Sequence, residues 1–109
     1  MDGVIGGTHA MRIEVTGRHM DLTESIKEQV AEKASRLPKY YDGVQEIDIV
    51  IEQSNPGGFH VEVRVDSEKH DTFVARSEGS NMYGCLDSCI DKMTRQLTDF
   101  KEKLKNTKR

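Results

Sequence analysis

The sequence predicts an α+β fold: a two-layer sandwich of order β-α-β-β-β-α, with a four-stranded mixed sheet and two helices packed on one of its faces. Three observations predict it. Four stretches alternate apolar and polar residues with the period of two that a half-buried strand requires, and two others repeat apolar residues at helical spacing. A helix between the first two strands implies a right-handed crossover and a parallel pair, whereas short polar links between the later strands imply antiparallel hairpins. At 109 residues the chain is long enough for one modest core and too short for two.

Residues 1–10, MDGVIGGTHA, hold three glycines and no periodicity, and read as a disordered tail or expression remnant ahead of a second methionine. The folded domain is expected over residues 11–106, with residues 107–109 as a basic tail. From Arg12 the chain alternates, Ile13 and Val15 on one face and Arg12, Glu14 and Thr16 on the other, until Gly17. Asp21 or Thr23 can cap the helix that follows, because a short oxygen-bearing side chain accepts from backbone N–H groups left unpaired in the first turn. Ile26, Val30, Ala34 and Leu37 form its apolar stripe, so the helix is expected to run to about residue 37, where Pro38 opposes it.

Ile47, Ile49 and Ile51 mark the second strand, and Asn55-Pro56-Gly57-Gly58 is turn chemistry. Phe59, Val61, Val63 and Val65 mark the third, and Phe73, Ala75 and Ser77 the fourth. The closing helix buries Met82, Leu86, Ile90, Met93, Leu97, Phe100 and Leu104, which share one stripe at about 100° per residue.

Charge is segregated along this chain. It is −3 overall, yet from Lys92 onward seven Lys or Arg face two acids, Asp99 and Glu102, so that segment is +5 and residues 1–91 are −8. Such a local field attracts polyanions, RNA above all; the competing reading is a solvated helix end whose cations complement the helix dipole. On the outer sheet face Glu14, Asp48, Glu52, Glu62 and Asp66 outnumber Arg12, Arg64 and Arg76. That face repels phosphate. Phe59 and Phe73 are expected in the core, so no aromatic platform for single-stranded RNA lies on the sheet. An RNA partner is therefore expected at the helices. Ser88, Lys92, Arg95, Gln96 and Lys103 share one flank of the closing helix, interrupted by Asp99. Lys33 and Arg36 flank the stripe of the first helix, with Lys27 nearer its other edge. Side by side, the helices are expected to frame a basic groove.

Catalytic readings find no support. Cys85 and Cys89 share a helix face without the further ligands of a zinc site, and read as small core residues of a protein from a reducing compartment. His19, His60 and His70 lie in separate segments, and no nucleophile, base and orienting group assemble. No cofactor is expected. No apolar run approaches the roughly 18 residues of a membrane-spanning helix, and the cytosol is the expected location.

The segment SEGSNMYGCLDSCIDKMTRQLTDFKEKLK resembles the closing helix of the ribosome hibernation-promoting factor and ribosome-associated inhibitor family, which shows (A/S)-E-G-x-(D/N)-M-Y-x-x-(I/L)-D-x-x-I-D-K-(L/M)-x-R-Q-L. VTGRHMDLTESIKEQVAEKASRL resembles the family's opening strand and helix. The resemblance covers residues 11–106. It implies a fold similar to double-stranded-RNA-binding domains and a non-enzymatic protein that occupies the decoding region of the small ribosomal subunit through basic helical residues. There it blocks messenger and transfer RNA in resting cells. The residues carried over are Lys27, Lys33 and Arg36, then Lys92, Arg95 and Gln96, with Lys101, Lys103 and Lys105 matching basic positions of the family's tail. Tyr83 matches the Met-Tyr pair, either packing or touching RNA. Asp99 departs from the basic residue that several relatives carry. The implied partners are the small subunit with its rRNA and, for this short form, a separate ribosome-dimerising factor; neither membrane nor DNA is expected. The alternative is a protein-binding modulator of an alternative sigma factor, which predicts an exposed apolar patch in place of a basic one.

Overall fold

The structure, a computed structural model, describes residues 11–54 and 57–107. The expected tail over residues 1–10 lies outside them, as do residues 108–109. Thr107 belongs to the closing helix and not to a tail. The observed order is β1 (Arg12–Arg18), α1 (Glu24–Ala34), a 3₁₀ turn (Leu37–Lys39), β2 (Val44–Ser54), β3 (Gly58–Ser67), β4 (His70–Gly79) and α2 (Met82–Thr107). The strands lie side by side in sequence order, β1 parallel to β2 and the later pairs antiparallel. This is the expected α+β sandwich.

Thr23, and not Asp21, caps α1: its Oγ1 accepts from the Ile26 N–H at 3.1 Å. The helix stops three residues short of the expected position. Ser35 turns its hydroxyl back to the Glu32 carbonyl at 2.6 Å, and Pro38, which has no N–H to continue the α-helical ladder, lies at the start of the 3₁₀ turn. Asn81 opens α2 by accepting from the Gly84 N–H at 2.8 Å. The β2–β3 hairpin is closed by the Gly57 N–H on the Ser54 carbonyl at 2.8 Å, with Gly57 at φ 135°, where a side chain would be strained.

The core lies between the sheet and the helices. Ile47, Ile49 and Ile51 of β2 and Val61, Val63 and Val65 of β3 are fully buried against Val30, Leu86, Met93 and Leu97. Phe73 is buried and Phe59 packs on the core's margin, as expected. Cys85 and Cys89 are buried free thiols. Rings close one end of the core: Phe100 stands edge-on to Tyr41 at 5.3 Å and to Phe73 at 5.8 Å. The Tyr41 phenol donates to the Glu68 carbonyl at 3.0 Å. Burial, with the Glu68 and Asp42 carboxylates nearby, raises its pKa above the usual value. Gly43 lies so close to this ring that a Cβ would sit 2.4 Å from the phenol carbon and oxygen.

Candidate nucleic-acid interface

Two faces of opposite character result from this layering. The open sheet face carries Glu14, Glu46, Asp48, Glu52, Glu62, Asp66 and Glu78 against Arg12, Arg18, Arg64 and Arg76. Some are paired, as Glu62 is with Arg76 at 3.1 Å and Arg64 at 3.3 Å. Carboxylate oxygens of Glu14, Glu46 and Asp48 lie within 4.8 Å of one another, with Arg12 3.8 Å from Glu14 as a loose, exposed counter-charge, so the three acids leave the field over β1 and β2 negative. The helical layer carries the other sign.

On α1, Lys27 is 4.0 Å from Glu24 one turn earlier, a loose pair that solvent weakens. Lys33 reaches across to α2 and donates to Asp87 at 2.7 Å. Arg36 is exposed at the start of the 3₁₀ turn. On α2, the Lys92 ammonium donates to the Arg76 carbonyl at 2.7 Å and the Gln96 amide to the Val74 carbonyl at 3.0 Å. Both acceptors belong to β4, the edge strand, at positions whose carbonyls point away from β3.

These contacts change the shape expected of the surface. The flank that holds Lys92 and Gln96, and by helical spacing Lys103, faces the sheet edge. The flank toward α1 is the one that holds Asp87, and at about 100° per residue Lys101 and Lys105 fall on the same side further along. The two basic flanks therefore do not enclose a single groove. Arg95 stands on the crest between them, exposed to solvent. Among the described residues the side chains of Arg36, Arg95, Lys101 and Lys105 form no ion pair, which leaves their charge available to a ligand. Tyr83 packs against the core margin. Asp99 is exposed on the β4 side of α2, where it weakens the positive field.

Asp87 as the partner of Lys33 carries no local sequence signal, because the two residues are 54 positions apart. No described helix is long and apolar enough to cross a membrane.

Residues 13–105 match the family model described as sigma 54 modulation protein / S30EA ribosomal protein. The chain belongs to this family. It is similar to the ribosome hibernation promoting factor of Escherichia coli K12, with 33% identity over 100 residues, covering 87% of this chain and 98% of that one. The factor of the same name from Azotobacter vinelandii is 27% identical over 96 residues, covering 85% of each. Among solved structures, the N-terminal domain of Thermus thermophilus Protein Y aligns with a TM-score of 0.74 and 25% identity, over 83% of this chain and 99% of that chain. A ribosomal subunit interface protein from Coxiella burnetii aligns with a TM-score of 0.75 and 26% identity, over 84% and 99%. The fold is thus the one these two solved structures share.

Proposed function

We propose that this protein is a ribosome hibernation factor, a binding protein and not an enzyme, that docks its helical layer on the rRNA of the small subunit. In the decoding channel it would exclude messenger and transfer RNA and hold translation off in resting cells, working in the cytoplasm. The observation that carries this reading is the opposition of the two faces: cations on the helices, of which Arg36, Arg95, Lys101 and Lys105 form no ion pair among the described residues, and acids on the sheet. Phosphate is drawn to one and repelled by the other, so the domain enters a channel of RNA in one orientation.

Arg36, Arg95, Lys101 and Lys105 are the primary phosphate contacts in this scheme, the two arginines because a guanidinium forks across two oxygens. Lys27 joins them by exchanging its loose pair with Glu24. Lys33, Lys92, Gln96 and Lys103 extend the surface; an ammonium that donates one hydrogen bond internally keeps two N–H groups for a phosphate. Sigma-factor modulation would call for an exposed apolar patch, and among the described residues Tyr40 is the exposed large hydrophobic side chain. Ribosome binding is the better supported reading.

Sedimentation with purified small subunits across a salt series tests it. The wild-type protein should cosediment at low salt and dissociate as salt rises, and the double variant Arg95→Glu, Lys101→Glu should fail to bind while keeping its fold. Absence of wild-type binding at low salt, or indifference to the charge reversal, would sink the proposal.

A further inference from the structure

We infer that His70 is a stacking shelf for an unpaired base of the bound RNA, a contact separate in kind from the phosphate contacts of the helices and resting on the rRNA-binding reading above. His70 opens β4 and is exposed. Its imidazole lies flat on the buried ring of Phe73, with centroids 3.9 Å apart and planes 5° from parallel. Phe100 meets it from the side at 4.6 Å and 68°. Its Nδ1 lies 2.5 Å from the Asp71 carbonyl oxygen, which fixes the rotation of the ring. Phe100 is itself held by Phe73 and Tyr41. With one face covered by Phe73 and the residue exposed, the face left to solvent is the opposite one.

A planar ring locked in this way loses no rotamer freedom when a partner arrives, so the free energy of stacking is retained in binding. The polar edge of an imidazole also lets the open face sit in water without the cost of an exposed phenyl. A nucleobase laid on it would extend the stack by one layer, and every base has a face suited to that. The charges nearby favour a base over a phosphate. The turn reads Glu68-Lys69-His70-Asp71, two acids against one lysine, and Asp66 and Thr72 are tied to each other at 2.7 Å on the far side of the strand. The phosphates belong to α2, where Phe100, in contact with His70, is followed one turn later by Lys103, on the flank that helical spacing turns toward β4. A nucleotide held at both points has its base on His70 and its backbone along the end of α2.

The test uses His70→Leu, His70→Phe and His70→Trp in the full chain, with thermal melts to confirm folding and small-subunit binding as the readout. Leucine covers Phe73 but cannot stack, so affinity should fall about tenfold; phenylalanine should bind as the wild type does. The chain has no tryptophan, so the His70→Trp protein carries a single one, and its emission, taken as the difference from the wild-type protein with the same subunits, should be quenched by the stacked base when subunits are added. If wild-type protein does not bind subunits, the reading on which the shelf rests has failed. Full affinity in His70→Leu, or unchanged tryptophan emission in subunit-bound His70→Trp, overturns the shelf alone. Should His70→Leu unfold, the tryptophan signal still decides.

Discussion

Cys89 shows how far one side chain's chemistry is set by its place in the core. The thiol donates to the Val61 carbonyl at 3.2 Å, with the Ala75 carbonyl at 3.7 Å, and it is fully buried. Burial raises its pKa from 9.0 to about 11, against the pull of Lys92. The folded state thus favours the neutral thiol. Its contribution to stability is complete below pH 9.0 and is lost as pH rises through about 11. Alkylation by iodoacetamide at about pH 8 should therefore leave Cys89 unmodified in the native protein and label it once urea unfolds the chain; rapid native labelling would contradict this burial. The Lys33–Asp87 pair is the opposite case, half in solvent and joining two helices. A double-mutant cycle with Lys33→Ala and Asp87→Ala should return a coupling of about 0.5 kcal/mol, in the range of exposed pairs. A coupling near zero would mean that the pair does not fasten α1 to α2.

At the scale of elements, α2 has two tasks that its sequence superimposes. Its apolar stripe covers β3 and β4, and the flank beside the stripe answers the outward carbonyls of β4 at Val74 and Arg76. An edge strand with bare carbonyls invites another chain to pair with it, and two donors one helical turn apart, Lys92 and Gln96, close that edge. Gln96→Glu replaces the donor with an acceptor facing an acceptor. Urea unfolding should show a loss of about 1–2 kcal/mol for it, and a smaller loss for Gln96→Lys, which keeps a donor. Equal losses would show that the hydrogen bond is not what matters there. Ribosome binding by Gln96→Lys should persist, since the added charge suits a phosphate.

For the whole molecule, the acidic sheet and the basic helices make a layered dipole. The acidic layer costs stability where like charges adjoin, as at Glu14, Glu46 and Asp48. Glu46→Gln should raise the midpoint of thermal unfolding at low salt by a few tenths of a kcal/mol equivalent. About 0.5 M salt should erase the difference, because screening over about 4 Å then does what the substitution did. A gain that survives high salt would have another cause. The same salt dependence should act in reverse on the proposed RNA binding, which each phosphate contact would make weaker as salt rises.

Periodicity determined the elements and the core by itself. Alternation at Ile47, Ile49 and Ile51 or at Val61, Val63 and Val65 reports burial directly, since each strand can hide only one face, whereas the limits of α1 were legible only loosely: Asp21 and Thr23 were both cap candidates, and the helix ends at Ala34, short of the position expected from Pro38. The basic composition of α2 was legible directly, as was the long motif that aligns with the family. The neighbour that each flank meets was not. A helical period tells the angle of Lys92 from the core stripe but not that β4 lies on that side and α1 on the other; strand order decides it. Lys33 with Asp87, and His70 with Phe73 and Phe100, depend on the same packing, because the last turn of α2 and the ends of separate strands meet only when the core closes. Tertiary structure alone therefore turned an expected groove into an exposed crest with a closed sheet edge beside it, and made a ring stack out of residues that look unrelated along the chain.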